Sequence, residues 1–186
     1  MTTTASETTT STWNIDASHS AIEFAAKHMM ITTVKGRLAE ARGTLTIDEA
    51  APARSSVRVE FDAKSLDTRS EQRDQHLRSG DFLDVEQFPT ISFTSRRIEG
   101  AKAEPGAEFK LIGDLTIRGV TKEVTLDVTY EGRGRDPWGG ERVSFSAEGK
   151  FDRRDFGLTW NAALETGGVL VSNDVKIRLD VQAGRA

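Results

Sequence analysis

The 186-residue chain contains no cysteine. That excludes disulfide staples, thiolate-held metals and cysteine nucleophiles in one step, leaving a fold that rests on its core and its hydrogen bonds. Histidine is scarce too, with only His19, His28 and His76. No two of them stand at a ligand spacing such as HxxxH or HExxH, so no metal site is expected. A large excess of one charge is also missing. The 25 basic and 29 acidic residues are interleaved and sum to −4, which is not the electrostatic footprint of a nucleic-acid binder. No apolar run is long enough to cross a bilayer, and the opening MTTTASETTTST has neither the basic nor the apolar region of a secretion signal. The expectation is a soluble, cytoplasmic protein without an integral membrane segment, with the N-terminal remnant of a longer precursor as the alternative. A Thr/Ser-rich stretch buries nothing apolar to offset its ordering entropy. Residues 1–12 therefore read as a disordered tail ahead of one domain over residues 13–183. With 37% hydrophobic residues, that domain is large enough for a real core.

What the chain does have is alternation. Gly113 to Tyr130 reads GDLTIRGVTKEVTLDVTY, a β-hairpin whose first arm extends back to Phe109. Phe109, Leu111, Leu115 and Ile117 lie on one arm and Val124, Leu126, Val128 and Tyr130 on the other, with Arg118 and Gly119 between. A loop of those two residues, or of those two with one neighbour on each side, sets Leu111 across from Leu126 and Phe109 across from Val128. Both apolar rows then share one face, while Lys110, Asp114, Glu123 and Asp127 face water. Strands apolar on one side only belong to an antiparallel sheet.

The same period recurs along the chain. Ile22, Phe24, Ala26 and His28 share a face of one strand, and Val34, Gly36 and Leu38 begin the next. Leu45 and Ile47 have the opposite parity, which predicts a bulge or bend near Gly43. Val57, Val59, Phe61 and Ala63 make a third strand, and Ile91 and Phe93 a fourth. Val143, Phe145, Ala147, Gly149 and Phe151 form the seventh, and Val175 to Val181 the eighth. Thr68 and Glu71 have capping-box spacing and Gly80 is a plausible stop, predicting a helix from about Arg69 to Ser79 with His76 and Leu77 inward. So charged a helix can only lie on the sheet or over an opening. Eight antiparallel strands form a sandwich or a closed barrel; closure removes exposed edges, and an eight-stranded barrel can hold one small ligand. The small inward residues Ala26, Gly113, Ala147 and Gly149 point to a lumen, unless large side chains of facing strands fill those gaps or the glycines mark bends.

Asp16, His19 and Ser20 include the residue types of a hydrolytic triad. Consecutive side chains on a strand point to opposite faces, so Ser20 is not expected to bond His19, which is expected to be held by Asp16 or nearby backbone. No acid/base pair is legible from spacing, and no catalytic residue is assigned.

With those elements placed, the chain resembles the YceI-like family of lipocalin-like barrels, described as polyisoprenoid-binding. The matching stretches are DASHSAIEF (Asp16 to Phe24) with His28, SLDTRSEQRDQHLRSGDFLD (Ser65 to Asp84) and FPTISFTS (Phe88 to Ser95). They continue with the hairpin from Gly113 to Val128, DPWGGERVSFSA (Asp136 to Ala147) and the segment from Phe151 to Val175. The chain departs from the pattern at Leu38, where the family usually has an aromatic, and at Asp152, where it often has Asn.

The resemblance implies an all-β, eight-stranded antiparallel lipocalin-like barrel with one short helix between strands 3 and 4. It implies an isoprenoid lipid inside, such as a polyprenyl or quinone-like molecule, with no cofactor, no catalysis and, weakly, a homodimer. The candidate ligand-binding residues follow the inward rows: Phe24, His28, Phe61, Phe93 and Leu115, then Phe145, Ala147, Gly149 and Phe151. Leu77 of the helix and Phe82 of the elbow after it join them. Arg153 matches the family's arginine and would offer its donors to a headgroup such as a quinone carbonyl or a phosphate. Phe156 and Trp160 either pack under the loop that follows or line the opening. Two other readings stay open: an enzyme acting on a lipid or quinone in the same cavity, and a ligand-free barrel serving as an interaction module.

Overall fold

The computed structural model describes residues 10–186. Its first three barrel strands are each broken once. β1 (Thr10–Ile15) and β2 (Ala21–His28) flank a 3-10 turn at Ala17–His19; β3 (Thr32–Leu38) and β4 (Ala41–Asp48) flank a break at Ala39 and Glu40; β5 (Ser56–Asp62) and β6 (Leu66–Asp67) flank a second 3-10 turn at Ala63–Ser65. The helix α1 (Glu71–Arg78) follows, then the longer strands β7 (Thr90–Glu99), β8 (Glu108–Ile117), β9 (Val120–Arg135), β10 (Glu141–Asp152) and β11 (Asp174–Arg185). Pairing runs β1-β4-β5-β7-β8-β9-β10-β11, and β1 returns to β11 with Trp13 opposite Arg185. The protein is thus a closed eight-stranded antiparallel barrel with one α-helix, and β2, β3 and β6 extend one end of it.

Side-chain alternation explains the closure: one apolar row per strand needs one shared interior. The hairpin of β8 and β9 has the expected register, Leu111 opposite Leu126 and Phe109 opposite Val128. Its two-residue turn places Arg118 at φ 49° and Gly119 at φ 72°, the pair of left-handed residues whose twist matches the flanking strands. Most of the apolar core forms one cluster inside the barrel, with Phe61, Phe93, Leu126 and Phe156 each under one-tenth exposed. A smaller cluster of Trp13, Val143 and Ala183 packs where β1 meets β11, and the Arg133 guanidinium lies 5.0 Å above the Trp13 ring.

Three sequence expectations are corrected. The parity change in the second barrel strand falls at Ala39 and Glu40, where the Ala39 amide donates to the Ser65 carbonyl at 3.3 Å, not near Gly43. Gly43 instead lies within β4 opposite Val59, where an added Cβ would come within 2.4 Å of the Arg58 carbonyl oxygen. The ordered domain also begins earlier than residue 13. Thr10 to Thr12 belong to β1, and the buried Ser11 hydroxyl accepts the Trp13 indole N–H at 2.8 Å; the rest of the expected tail lies outside the described residues. Finally, α1 is capped by Ser70, whose hydroxyl accepts from the Arg73 amide at 3.4 Å. Thr68 is not the cap: it is buried beneath the helix, donating through its amide and hydroxyl to Asp74 at 2.9 and 2.5 Å. Among the described residues no helix is long and apolar enough to cross a membrane.

Candidate ligand cavity

The inward rows do not meet at the barrel axis. They leave a cavity of about 480 Å³, within the range of small-molecule sites. Phe24, Phe61, Phe93, Phe145 and Phe151 line it, with Leu115 and Ala147 between them. Leu77, Phe82, Leu83, Leu158 and Val171 close one end, where α1, the elbow after it and the loop between β10 and β11 come together. At the other end the lining turns polar: Asp48 ends β4, Ser56 begins β5, Glu49, Ser55 and Lys102 come from the loops after β4 and β7, and Arg133 comes from β9. Arg133 is held there by Glu49 at 2.5 Å, which raises its pKa.

The small residues divide into two kinds. Ala26 and Ala147 do line the cavity. The glycines do not provide space: an added Cβ at Gly113 would come 2.4 Å from the Phe93 ring, and at Gly149 2.6 Å from Leu126. Neighbouring side chains lie across the bare backbone there, so Gly149 is not a wall residue. This supports the filled-gap reading for the glycines and the lumen for the alanines.

Four candidate residues lie off the wall or serve another purpose. His28 ends β2, half-buried, with its backbone bridged to Val171. Phe156 is 1% exposed and packs edge-on against Phe151 at 5.2 Å, outside the cavity lining. Trp160 braces the closed end from outside, edge-on to His76 at 4.6 Å and tilted against Phe82 at 5.4 Å; His76 in turn meets Asp81 through Nε2 at 2.9 Å. The geometry thus favours packing over lining for both loop aromatics. Arg153 reaches the cavity, but its donors are already occupied. Nε donates to the Ser172 carbonyl at 2.9 Å, and Nη1 to the carbonyls of Leu158 and Trp160 at 2.6 and 2.9 Å. Nη2 approaches the Val171 carbonyl at 3.4 Å. At 3% exposure, Arg153 pins the β10–β11 loop across the end of the barrel instead of offering an open fork to a headgroup.

The Asp16 cluster lies outside the cavity. Ser18 Oγ and Asp16 Oδ2 both approach His19 Nδ1, at 3.1 and 2.9 Å, while Ser20 Oγ donates to the Asp16 carbonyl at 2.6 Å. A relay needs serine and carboxylate on opposite ring nitrogens. The cluster therefore works as a turn brace. The hydrogen bond from Ser18, then that with His19, holds the Asp16 carboxyl at about 2.

Leu83, Leu158 and Val171 escaped the sequence reading, as did the polar rim. The three apolar residues sit in loops or an elbow without periodicity, where nothing local marks a side chain as inward; of the rim, Asp48, Ser56 and Arg133 sit near strand ends and the rest in loops.

A family model described as a YceI-like domain matches residues 13–183. The protein YceI of Salmonella newport is 40% identical over 144 residues, covering 77% of this chain and 73% of its own. The crystal structure of the Campylobacter jejuni YceI protein matches with a TM-score of 0.72 at 30% identity, over 86% of this chain and 90% of that one. At lower identity only the fold is shared. Burkholderia cenocepacia BcnA gives a TM-score of 0.76 at 21% identity over 90% of this chain and 98% of its own. A polyisoprenoid-binding domain from Saccharophagus degradans gives 0.67 at 14% over 94% and 98%. From the inward rows, the closed barrel and these matches together, the chain belongs to the YceI-like family.

Proposed function

We propose that the protein binds and carries an amphiphilic isoprenoid, its tail in the apolar cavity and its polar end at the rim formed by the loops after β4 and β7. The observation that carries this reading is the polarity gradient within one cavity: aromatic and aliphatic side chains make up most of the wall, and the charged and hydroxyl groups other than Glu23 and Arg153 gather at the loop end. A tail in such a wall gains about 0.8 kcal/mol per buried methylene before ordering costs. Membership of the YceI-like family and a fold shared with a domain named for polyisoprenoid binding support the choice of ligand class. Carriage is preferred to turnover because the Phe, Leu, Ile, Val and Ala rows present no acid or base to a bound tail.

The test is native mass spectrometry of the protein purified from its own host, followed by extraction of whatever is bound. A co-purifying isoprenoid supports the reading, and chemical conversion of that lipid by the protein would replace it with an enzyme. A protein that arrives empty and rejects added isoprenoids would leave the barrel as an interaction module.

A further inference from the structure

The hairpin between β2 and β3 ends in three exposed apolar residues, Met29, Met30 and Ile31, at 43%, 56% and 75% exposure. The turn is tight, with the Ile31 amide donating to the His28 carbonyl at 3.2 Å. Met29 and Met30 hold φ of 52° and 64°, a pair of left-handed positions that normally go to Asn and Gly. Large thioether side chains are thus kept in an unfavourable backbone conformation and about half in water, although Met30 also lies over Gly168 of the β10–β11 loop. Charge around the tip is also distinctive. The chain as a whole is at −4, yet from Phe24 to Ala39 it carries Lys27, Lys35 and Arg37 with no Asp or Glu. Lys27 and Lys35 are exposed on the outward face; Lys176 lies in register with Ala25, which in turn faces Lys35. The acids nearby are Glu23, in register with Arg37 on β3, Asp67, which pairs with Arg37 at 3.3 Å, Asp174 at the start of β11, and Glu165 on the adjoining loop.

We propose that this tip docks the protein on an anionic lipid surface, with Met29, Met30 and Ile31 entering the headgroup region and Lys27 and Lys35 meeting lipid phosphates. A second copy of the chain is a poor occupant, because three residues on a convex turn fall far short of the ~800 Å² per partner of a stable interface. The tip is also joined to the cavity. The Met29 amide donates to the Leu170 carbonyl at 2.8 Å, the Ser172 amide to the Lys27 carbonyl at 3.0 Å, and His28 bridges Val171, itself a wall residue at the closed end. Docking therefore bears on the loop that Arg153 pins over that end.

The probe is flotation with vesicles of phosphatidylglycerol and phosphatidylcholine in equal parts, against phosphatidylcholine alone. The wild-type protein is expected to float with the anionic vesicles and to be released by salt. Met29→Asn with Met30→Gly supplies the residues the turn prefers, so the variant folds with an unchanged or higher Tm while vesicle affinity falls by roughly tenfold or more. Lys27→Ser and Lys35→Ser should each weaken binding by roughly fivefold. Trp138→Ala, at the opposite end and 89% exposed, should change nothing. Equal flotation of the Asn-Gly variant, no flotation of the wild type, or loss of binding in Trp138→Ala overturns the proposal. So does a dimer in sedimentation that the Asn-Gly variant abolishes. A parallel titration with detergent-solubilised isoprenoid keeps the two readings apart. Vesicle binding without uptake sinks the cavity reading alone, and uptake without vesicle binding sinks docking alone.

Discussion

At the scale of single residues, the firmest assignment is Arg153. Its charge is buried without a carboxylate partner, and burial lowers its pKa while Asp152 opposes the shift. What keeps it there is the set of loop carbonyls from Leu158 to Ser172. Arg153→Met leaves those acceptors unpaired and should cost about 3 kcal/mol in chemical denaturation, with hydrogen exchange rising first between residues 157 and 173. A headgroup role would give the opposite pattern, lost ligand affinity at unchanged stability. The sequence made the arginine visible, but its acceptors come from a loop without period, so its environment was not. Asp16 gives a second test. Its carboxyl is held at about 2, below the ordinary 3.8, chiefly by Ser18 and then His19. The stability it adds is fully present above pH 3.8 and lost as pH falls towards 2. Asp16→Asn should flatten the acid side of the stability profile across that window, and an unchanged slope would show that other carboxylates dominate there.

At the scale of elements, α1 is too short to persist alone, so its stability comes from what ties it down. Thr68 and Asp74 are both 4% exposed, and Arg73 donates to the Thr68 hydroxyl and carbonyl, each at 2.7 Å. Arg78 reaches back to the carbonyls of Lys64 and Leu66 at 3.1 and 2.6 Å. Thr68→Ala therefore strips a hydroxyl from a buried carboxylate and should cost about 2 kcal/mol, against about 1 kcal/mol for the cap change Ser70→Ala. Equal or inverted costs in urea titrations would return Thr68 to a capping role. The misreading has a physical source. A Thr three residues before a Glu has the spacing of a cap, but Arg69 at φ 63° turns the chain between them and moves the cap to Ser70. The hairpin of β8 and β9 was legible because a period of two and a two-residue turn leave only one register. The break at Ala39 and Glu40 was legible as a parity change and not as a position, since the pairing with Ser65 that fixes it is remote in sequence.

At the scale of the whole molecule, function depends on whether the barrel is hollow, and Ala147 and Gly149 separate the two cases. Both face inward on β10, two residues apart, and the sequence gives no means of telling them apart. Ala147 lines the cavity between Val128 and Leu179, its cross-strand neighbours, whereas the space over Gly149 is taken by Leu126. A phenyl ring at position 147 enters free volume and gains burial, so Ala147→Phe should leave the denaturation midpoint unchanged or slightly raised. It also removes room for a tail, and isoprenoid affinity should fall by roughly tenfold or more. Gly149→Ala adds one carbon where none fits without displacing Leu126. It should cost about 1 kcal/mol or more through overpacking and leave affinity nearly intact. Chain length gives an independent measure. Affinity should climb with each added isoprene unit until the cavity is filled and level off after that. Strong destabilisation by Ala147→Phe would mean the interior is packed at this depth. Unchanged stability with unchanged affinity would move the tail to another part of the barrel, towards the polar rim. Affinity that never levels off would require the closed end to open, and the β10–β11 loop pinned by Arg153 is then the segment whose exchange rates should rise on binding.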